Sequence, residues 1–207
     1  IRELDYSYYE NIYGSKGELL YEKDLNRYNI QDTLVDVAVF NPDPLTTSLT
    51  SYGAPYVDNG DSDVPELLAE IDTHSVYVDY DNGTFRLKGP YAEIKEFSNP
   101  STTPATSLTP NFFYTRSEPE FEDVNSYYHI TVFQEYIQSL GFNNLVNFPI
   151  EIDPHALNGQ DNSMFSGNQL YFGEGGVDDA EDADVVIHEY GHAISASAAP
   201  NSWNGFE

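Results

Sequence analysis

Residues 178–194 read Asp-Asp-Ala-Glu-Asp-Ala-Asp-Val-Val-Ile-His-Glu-Tyr-Gly-His-Ala-Ile, and this stretch decides the fold. The apolar run at Val185, Val186 and Ile187, followed by small residues from Ala193 to Ala199, predicts a helix that Pro200 ends. Asp178, Asp179, Glu181 and Asp182 precede it, as carboxylates should at a helix N-terminus. Within the helix, His188-Glu189-Tyr190-Gly191-His192 forms an HExxH pattern. Residues four apart share one helix face, so His188 and His192 can offer imidazole nitrogens to one metal ion. That supplies two of the three protein ligands a catalytic zinc requires. Zinc lowers the pKa of water from 15.7 to roughly 7, and Glu189 stands beside the histidines to take that proton. Gly191 costs about 1 kcal/mol of helix propensity relative to Ala, and its missing side chain leaves room for a close approach. The plain alternative is a surface helix with two incidental histidines; chance gives the pattern in such a chain at roughly the 1% level.

Upstream, residues 160–176 (QDNSMFSGNQLYFGEGG) read as a turn, a strand and another turn just before the helix. This order of edge strand and HExxH helix resembles the thermolysin-like metallopeptidases. Residues 178–194, with Val39-Phe40-Asn41-Pro42-Asp43-Pro44, resemble the fungalysin branch and related bacterial secreted peptidases more closely. Phe121 to His129 (FEDVNSYYH) match the long helix expected in that family. The resemblance spans roughly residues 37–207 and is weakest between 45 and 110.

The resemblance implies an α+β fold. A β-rich N-terminal part precedes the N-terminal subdomain of a zincin, with an edge strand and an active-site helix, and the helical C-terminal subdomain is absent from these residues. It implies a secreted zinc endopeptidase with His188 and His192 as zinc ligands and Glu189 as general base. Asn162 and Ser163 fall where the edge strand hydrogen-bonds an extended peptide. Val185 falls where an apolar residue lines the pocket for the side chain after the scissile bond. Asp184 matches a calcium-binding carboxylate, which makes calcium a second candidate ion. The third zinc ligand in this family is a glutamate roughly twenty residues past the second histidine. That position lies beyond Glu207, so the expected missing partner is the C-terminal half of the catalytic domain. The 207 residues alone are accordingly expected to show little or no proteolysis.

The composition agrees with a folded, acidic protein. The 207 residues are 40% hydrophobic, enough for a packed core, with 8 Lys+Arg against 35 Asp+Glu and a net charge of −27. Such a charge repels nucleic-acid phosphates and anionic membranes, so neither is an expected partner. There is no cysteine and hence no disulfide. No run of 18 apolar residues predicts a membrane span.

Along the chain, residues 1–30 read as a hairpin with a Gly-Ser-Lys-Gly turn, similar to the last hairpin of propeptides in the same family. Residues 31–110 read as β-rich and residues 111–207 as the zincin subdomain. Thr33 to Phe40 predicts a strand, and Val64 to Ile71 a short helix. Ser75 to Tyr80 and Thr84 to Lys88 alternate around Asn82-Gly83, which predicts a hairpin. Residues 98–110 read as a Pro/Ser/Thr-rich connection. Ser117-Glu118-Pro119-Glu120 has the form of a capping box. Val124, Tyr128, Val132, Tyr136 and Leu140 mark one helix face that Gly141 stops.

The other histidines read as structural. His129 is expected in the helix packing, His155 in a loop and His74 before a strand, facing solvent. Asp58-Asn59-Gly60-Asp61-Ser62-Asp63 is a candidate calcium loop, against a plain solvated turn. Two functions stand on this reading. One is a zinc endopeptidase acting on peptides and proteins; the other is a non-catalytic fragment or binding module with a vestigial HExxH.

Overall fold

The computed structural model describes residues 9–13, 19–24, 33–58 and 60–199. Two compact units divide the chain, residues 1–30 and residues 31–207. In the first, β1 (Tyr9–Tyr13) pairs antiparallel with β2 (Leu19–Asp24), Tyr9 opposite Asp24. The Gly-Ser-Lys-Gly turn expected between them lies outside the described residues.

The second unit runs β3 (Thr33–Val39), α1 (Pro44–Ser48), α2 (Pro65–Leu68), β4 (Asp72–Asp81), β5 (Thr84–Arg86), β6 (Ala92–Ile94), β7 (Thr106–Ser107), β8 (Asn111–Phe112), α3 (Glu120–Ser139), β9 (Ile150–Asp153), β10 (Ser163–Ser166), β11 (Gln169–Phe172) and α4 (Ala183–Ala198). A five-stranded sheet has the order β7-β5-β4-β3-β8, and a four-stranded sheet the order β10-β11-β9-β6. The architecture is α+β, as expected. In β3, Val35, Val37 and Val39 face the core, and in β4 Val76 and Val78 do, because side chains alternate across a pleated strand. Asn82 (φ 50°) and Gly83 (φ 87°) make the expected tight turn between β4 and β5.

Helix α3 packs against strands of both sheets and against α4. Its buried residues include Phe121, Val124, Tyr127, Ile130 and Gln134. The stripe expected from Val124 to Leu140 leaves the core: Val132, Tyr136 and Leu140 are exposed. A step of four residues turns the helix by about 400°, so four steps rotate the stripe about 160° away from its start. The helix start also differs from expectation. Pro119 precedes it with no side-chain cap. Glu118 instead turns its carboxylate back to the Thr115 N–H at 3.0 Å, half of a capping box set two residues early. The 98–110 connection contributes β7 to the five-stranded sheet and leads directly into β8, so it is not a plain linker.

Buried amides and imidazoles on α3 hold the entry to α4. Asn125 accepts from the Phe40 N–H at 3.1 Å and donates to the Ala180 carbonyl at 2.8 Å. His129 Nε2 donates to the Phe40 carbonyl at 2.7 Å, which fixes that nitrogen as protonated. Burial pushes the His129 pKa down to about 4. A depressed pKa means the folded protein resists a proton that the unfolded chain accepts near 6.5. The resulting stability is present above pH 6.5 and is lost as pH falls from there toward 4, about 3 kcal/mol in all. His129→Gln keeps a donor without the titration. Denaturant unfolding from pH 6.5 to 4 should therefore cost the native protein about 3 kcal/mol more than the variant. Equal losses would show that His129 is not buried neutral.

His74 is not a solvent-facing residue before a strand. It lies within β4, where its ring packs on Tyr128 at 5.0 Å and its Nε2 sits 3.2 Å from Asn41 Nδ2. Among the described residues, no helix is long and apolar enough to cross a membrane.

Candidate active site

The HExxH residues sit on α4. Asp182 caps the helix by accepting from the Asp184 N–H at 2.7 Å, and Ala183 N–H donates to the Pro42 carbonyl at 3.2 Å. Ala183, Val186, Tyr190 and Ala193 bury one face. Tyr190 fixes the rotation of the helix: it is fully buried, and its hydroxyl donates to Gln134 Oε1 at 2.9 Å. His188 is two residues from both Val186 and Tyr190, so it must project roughly opposite the core face. It is exposed, and His192 is half-buried.

The two imidazoles converge. His188 Nε2 and His192 Nε2 are 3.1 Å apart, with the rings at 88°. Two nitrogens bound tetrahedrally at 2.0–2.1 Å to one zinc would be separated by about 3.3 Å, so this pair fits the ion. Glu189, 8% exposed, brings a carboxylate oxygen into the same cluster, within 4.8 Å of both histidines.

At Gly191 an added Cβ would meet nothing within 4 Å. Gly191→Ala should therefore raise stability by about 0.4–1 kcal/mol, since it only restricts the unfolded chain. A drop in peptidase activity in a variant so stabilised would show that the substrate uses the space. A loss of stability would show that the position is not open.

The segment expected as one strand between turns is a hairpin, β10 and β11, closed by Gly167 and Asn168 at φ 60° and 67°. β10 is an edge strand and packs against α4. Ser163 opens β10, and its hydroxyl donates to Asp179 Oδ2. Asn162 lies just before, its carbonyl accepting from Gly173 N–H at 3.1 Å. The return loop lies directly on this backbone: a Cβ on Gly173 would overlap the Gln160 carbonyl, and one on Gly175 the Asp161 amide. Val185 is half-buried and lies one turn before Glu189 on the same face. Asp184 is exposed and joins none of the metal-sized clusters among the described residues.

The acidic run before α4 is not a uniform helix-dipole cushion. Only Asp182 caps. Glu181 is buried and takes a bidentate contact from Arg116, with Nε–Oε1 3.0 Å and Nη2–Oε2 2.7 Å. Burial raises the Glu181 pKa to about 7 even against the opposing pull of Arg116. His155 is a turn residue after β9, but it is 2% exposed rather than a surface loop side chain. Its Nδ1 lies 2.8 Å from Glu122 Oε2 and 2.7 Å from Glu174 Oε1. Burial opposes its charge, but Asp123 and Glu122 outweigh that and push its pKa up to about 12. Its ring is held as a buried cation among these carboxylates. Sequence reading missed Arg116, Glu122 and His155 as a cluster, because their contacts span 19 to 65 residues and leave no local pattern. The one signal was that Arg116 is among only 8 basic residues.

A cavity of about 70 Å³ lies beside this cluster, lined by Tyr52, Tyr56, Leu67, Arg116 and Glu181 among others, and by none of the HExxH residues.

No curated protein matches the chain significantly. The family described as thermolysin metallopeptidase, catalytic domain, matches residues 67–196, which is more than half of the chain and includes all of the HExxH residues. With that match, the chain belongs to the thermolysin family of zinc metallopeptidases, within its catalytic domain.

Proposed function

We propose that His188 and His192 hold the zinc through their Nε2 atoms, and that Glu189 is the base for peptide hydrolysis. The observation that carries this reading is the 3.1 Å convergence of the two nitrogens beside a buried carboxylate. When bound, zinc acidifies a water and polarises the peptide carbonyl. Glu189 takes the proton as the water attacks. An amine leaves poorly without a proton, and Glu189 is the carrier at hand to return it to the departing nitrogen.

The substrate is a peptide in extended form. β10 has its free edge beside α4, and strand addition there would align a peptide past the histidines, with Asn162 and Ser163 on the docking edge. Val185, one turn before Glu189, would line the pocket for the side chain after the scissile bond. The third zinc ligand is assigned, on the family resemblance, to a glutamate roughly twenty residues past His192. The likeness of residues 178–194 to the fungalysin branch and an extracellular setting belong to the same proposal.

A quenched-peptide assay with chelator and zinc readdition tests it. The protein carrying its whole catalytic domain should lose turnover on chelation and regain it with zinc. Zinc binding with no turnover of any peptide would favour the binding-module reading instead.

A further inference from the structure

The cavity of about 70 Å³ beside Arg116 takes no part in the chemistry proposed above. It has room for roughly five waters, or for one side chain in their place. Most of its wall is apolar. Leu45, Tyr56, Val57 and Leu67 contribute, and Tyr52 and Val177 are its exposed members. Releasing water from such walls favours entry of an apolar group.

The charges in the lining decide what that group carries. Asp43, Asp58, Glu181 and Asp182 are set against a single base, Arg116. Glu181 neutralises Arg116 through contacts at 3.0 and 2.7 Å, and the Asp58 carboxylate reaches Arg116 only at 3.4 Å. Asp43 and Asp182 have no base of their own in the lining. They cap α1 and α4, which start side by side because Ala183 N–H donates to the Pro42 carbonyl. Burial raises the Asp182 pKa, and the nearby Asp43 charge adds to the rise. A cation entering the pocket would relieve that repulsion. Asp43 Oδ1 accepts from the Leu45 and Thr46 N–H groups, and Asp182 Oδ1 from the Asp184 N–H. At most one oxygen of each aspartate is left for a ligand. Single oxygens suit a compact ammonium, whereas a guanidinium fork needs both oxygens of one carboxylate. The tyrosine rings add faces that attract a cation.

We propose that this pocket binds a lysine side chain of a peptide or protein ligand. Its methylenes lie among Leu45, Tyr56, Val57 and Leu67, and its ammonium meets Asp43 and Asp182. Asp182 is six residues before His188, about 9 Å along the helix axis. A bound chain would thus be held beside the HExxH helix, through contacts that do not depend on zinc.

The test uses chelator-treated, zinc-free protein, titrated with a blocked Gly-Lys-Gly peptide and followed by NMR. The norleucine counterpart keeps the apolar stem and lacks the charge. The lysine peptide should bind saturably and move the signals of Val57 and Val177. The norleucine peptide should bind about tenfold more weakly or worse. Asp43→Asn and Asp182→Asn should each weaken lysine binding about fivefold while the helices stay capped, since asparagine caps as well as aspartate. Added salt should weaken it too. The proposal is overturned if the two peptides bind alike, if neither binds saturably, or if both Asn variants bind as the native protein does. It is also overturned if the moved signals belong to β10 instead, or if free n-butylamine binds and the lysine peptide does not.

Discussion

Glu189→Gln is expected to reduce peptide turnover by about 10²–10⁴-fold while zinc stays bound, because it removes a base and little else. The amide has nearly the same shape as the carboxylate, so the buried position on α4 stays filled. Glutamine accepts no proton at neutral pH, so the attacking water must lose its proton to solvent. The loss should fall on kcat rather than on KM, since the peptide binding proposed along β10 uses other atoms. Zinc content by atomic absorption and kcat on one peptide decide the matter. Loss of zinc in this variant, or unchanged kcat, would remove Glu189 from its role.

His188→Ala or His192→Ala is expected to weaken zinc binding by more than about 100-fold. Altering a mere outer-shell partner of a ligand already costs 10–100-fold, and here the donor itself is deleted. Activity should fall with zinc occupancy. The fold should not suffer: the histidines project away from Ala183, Val186, Tyr190 and Ala193, which bury the other face. In zinc-free protein the stability change should stay within about 0.5 kcal/mol, as at other surface sites. Tyr190→Ala gives the contrast, since it removes a fully buried ring and the hydrogen bond to Gln134. Retained zinc affinity in both histidine variants would show that the ion is held elsewhere.

Much of this arrangement was legible locally. The i, i+4 spacing of His188 and His192, the Asn82-Gly83 turn and the valines of β3 each carry their geometry within a few residues. They appear as expected because one helical turn or one pleat decides them. What the sequence hid was long-range. The stripe from Val124 to Leu140 looked apolar, yet only its first two members meet the core, since α3 rotates the rest into the open. Glu181 and Asp178 read as helix-dipole charges, but one is consumed by Arg116 and the other by the cluster. His155 gave no sign of its buried charge, because Glu122 and Glu174 reach it from other elements. The hairpin β10–β11 was visible only as one strand, since Gly167-Asn168 is a turn signal embedded in polar residues.

The acidic cluster and the HExxH helix are mechanically linked. Arg116 and Asn125 hold Glu181 and Ala180, which lead directly into Asp182 and the first turn of α4. That connection gives a very acidic chain a reason to bury charge so close to the HExxH helix. The cluster fixes where the helix begins, and Tyr190 fixes how it is turned.

X-ray absorption at the zinc edge tests the central claim most directly. Zinc-loaded protein should show two imidazole nitrogens at about 2.0–2.1 Å, and both should vanish in the His188→Ala/His192→Ala variant. A shell of oxygen donors alone, or imidazole scattering that survives in that variant, would contradict the assignment of zinc to the HExxH helix.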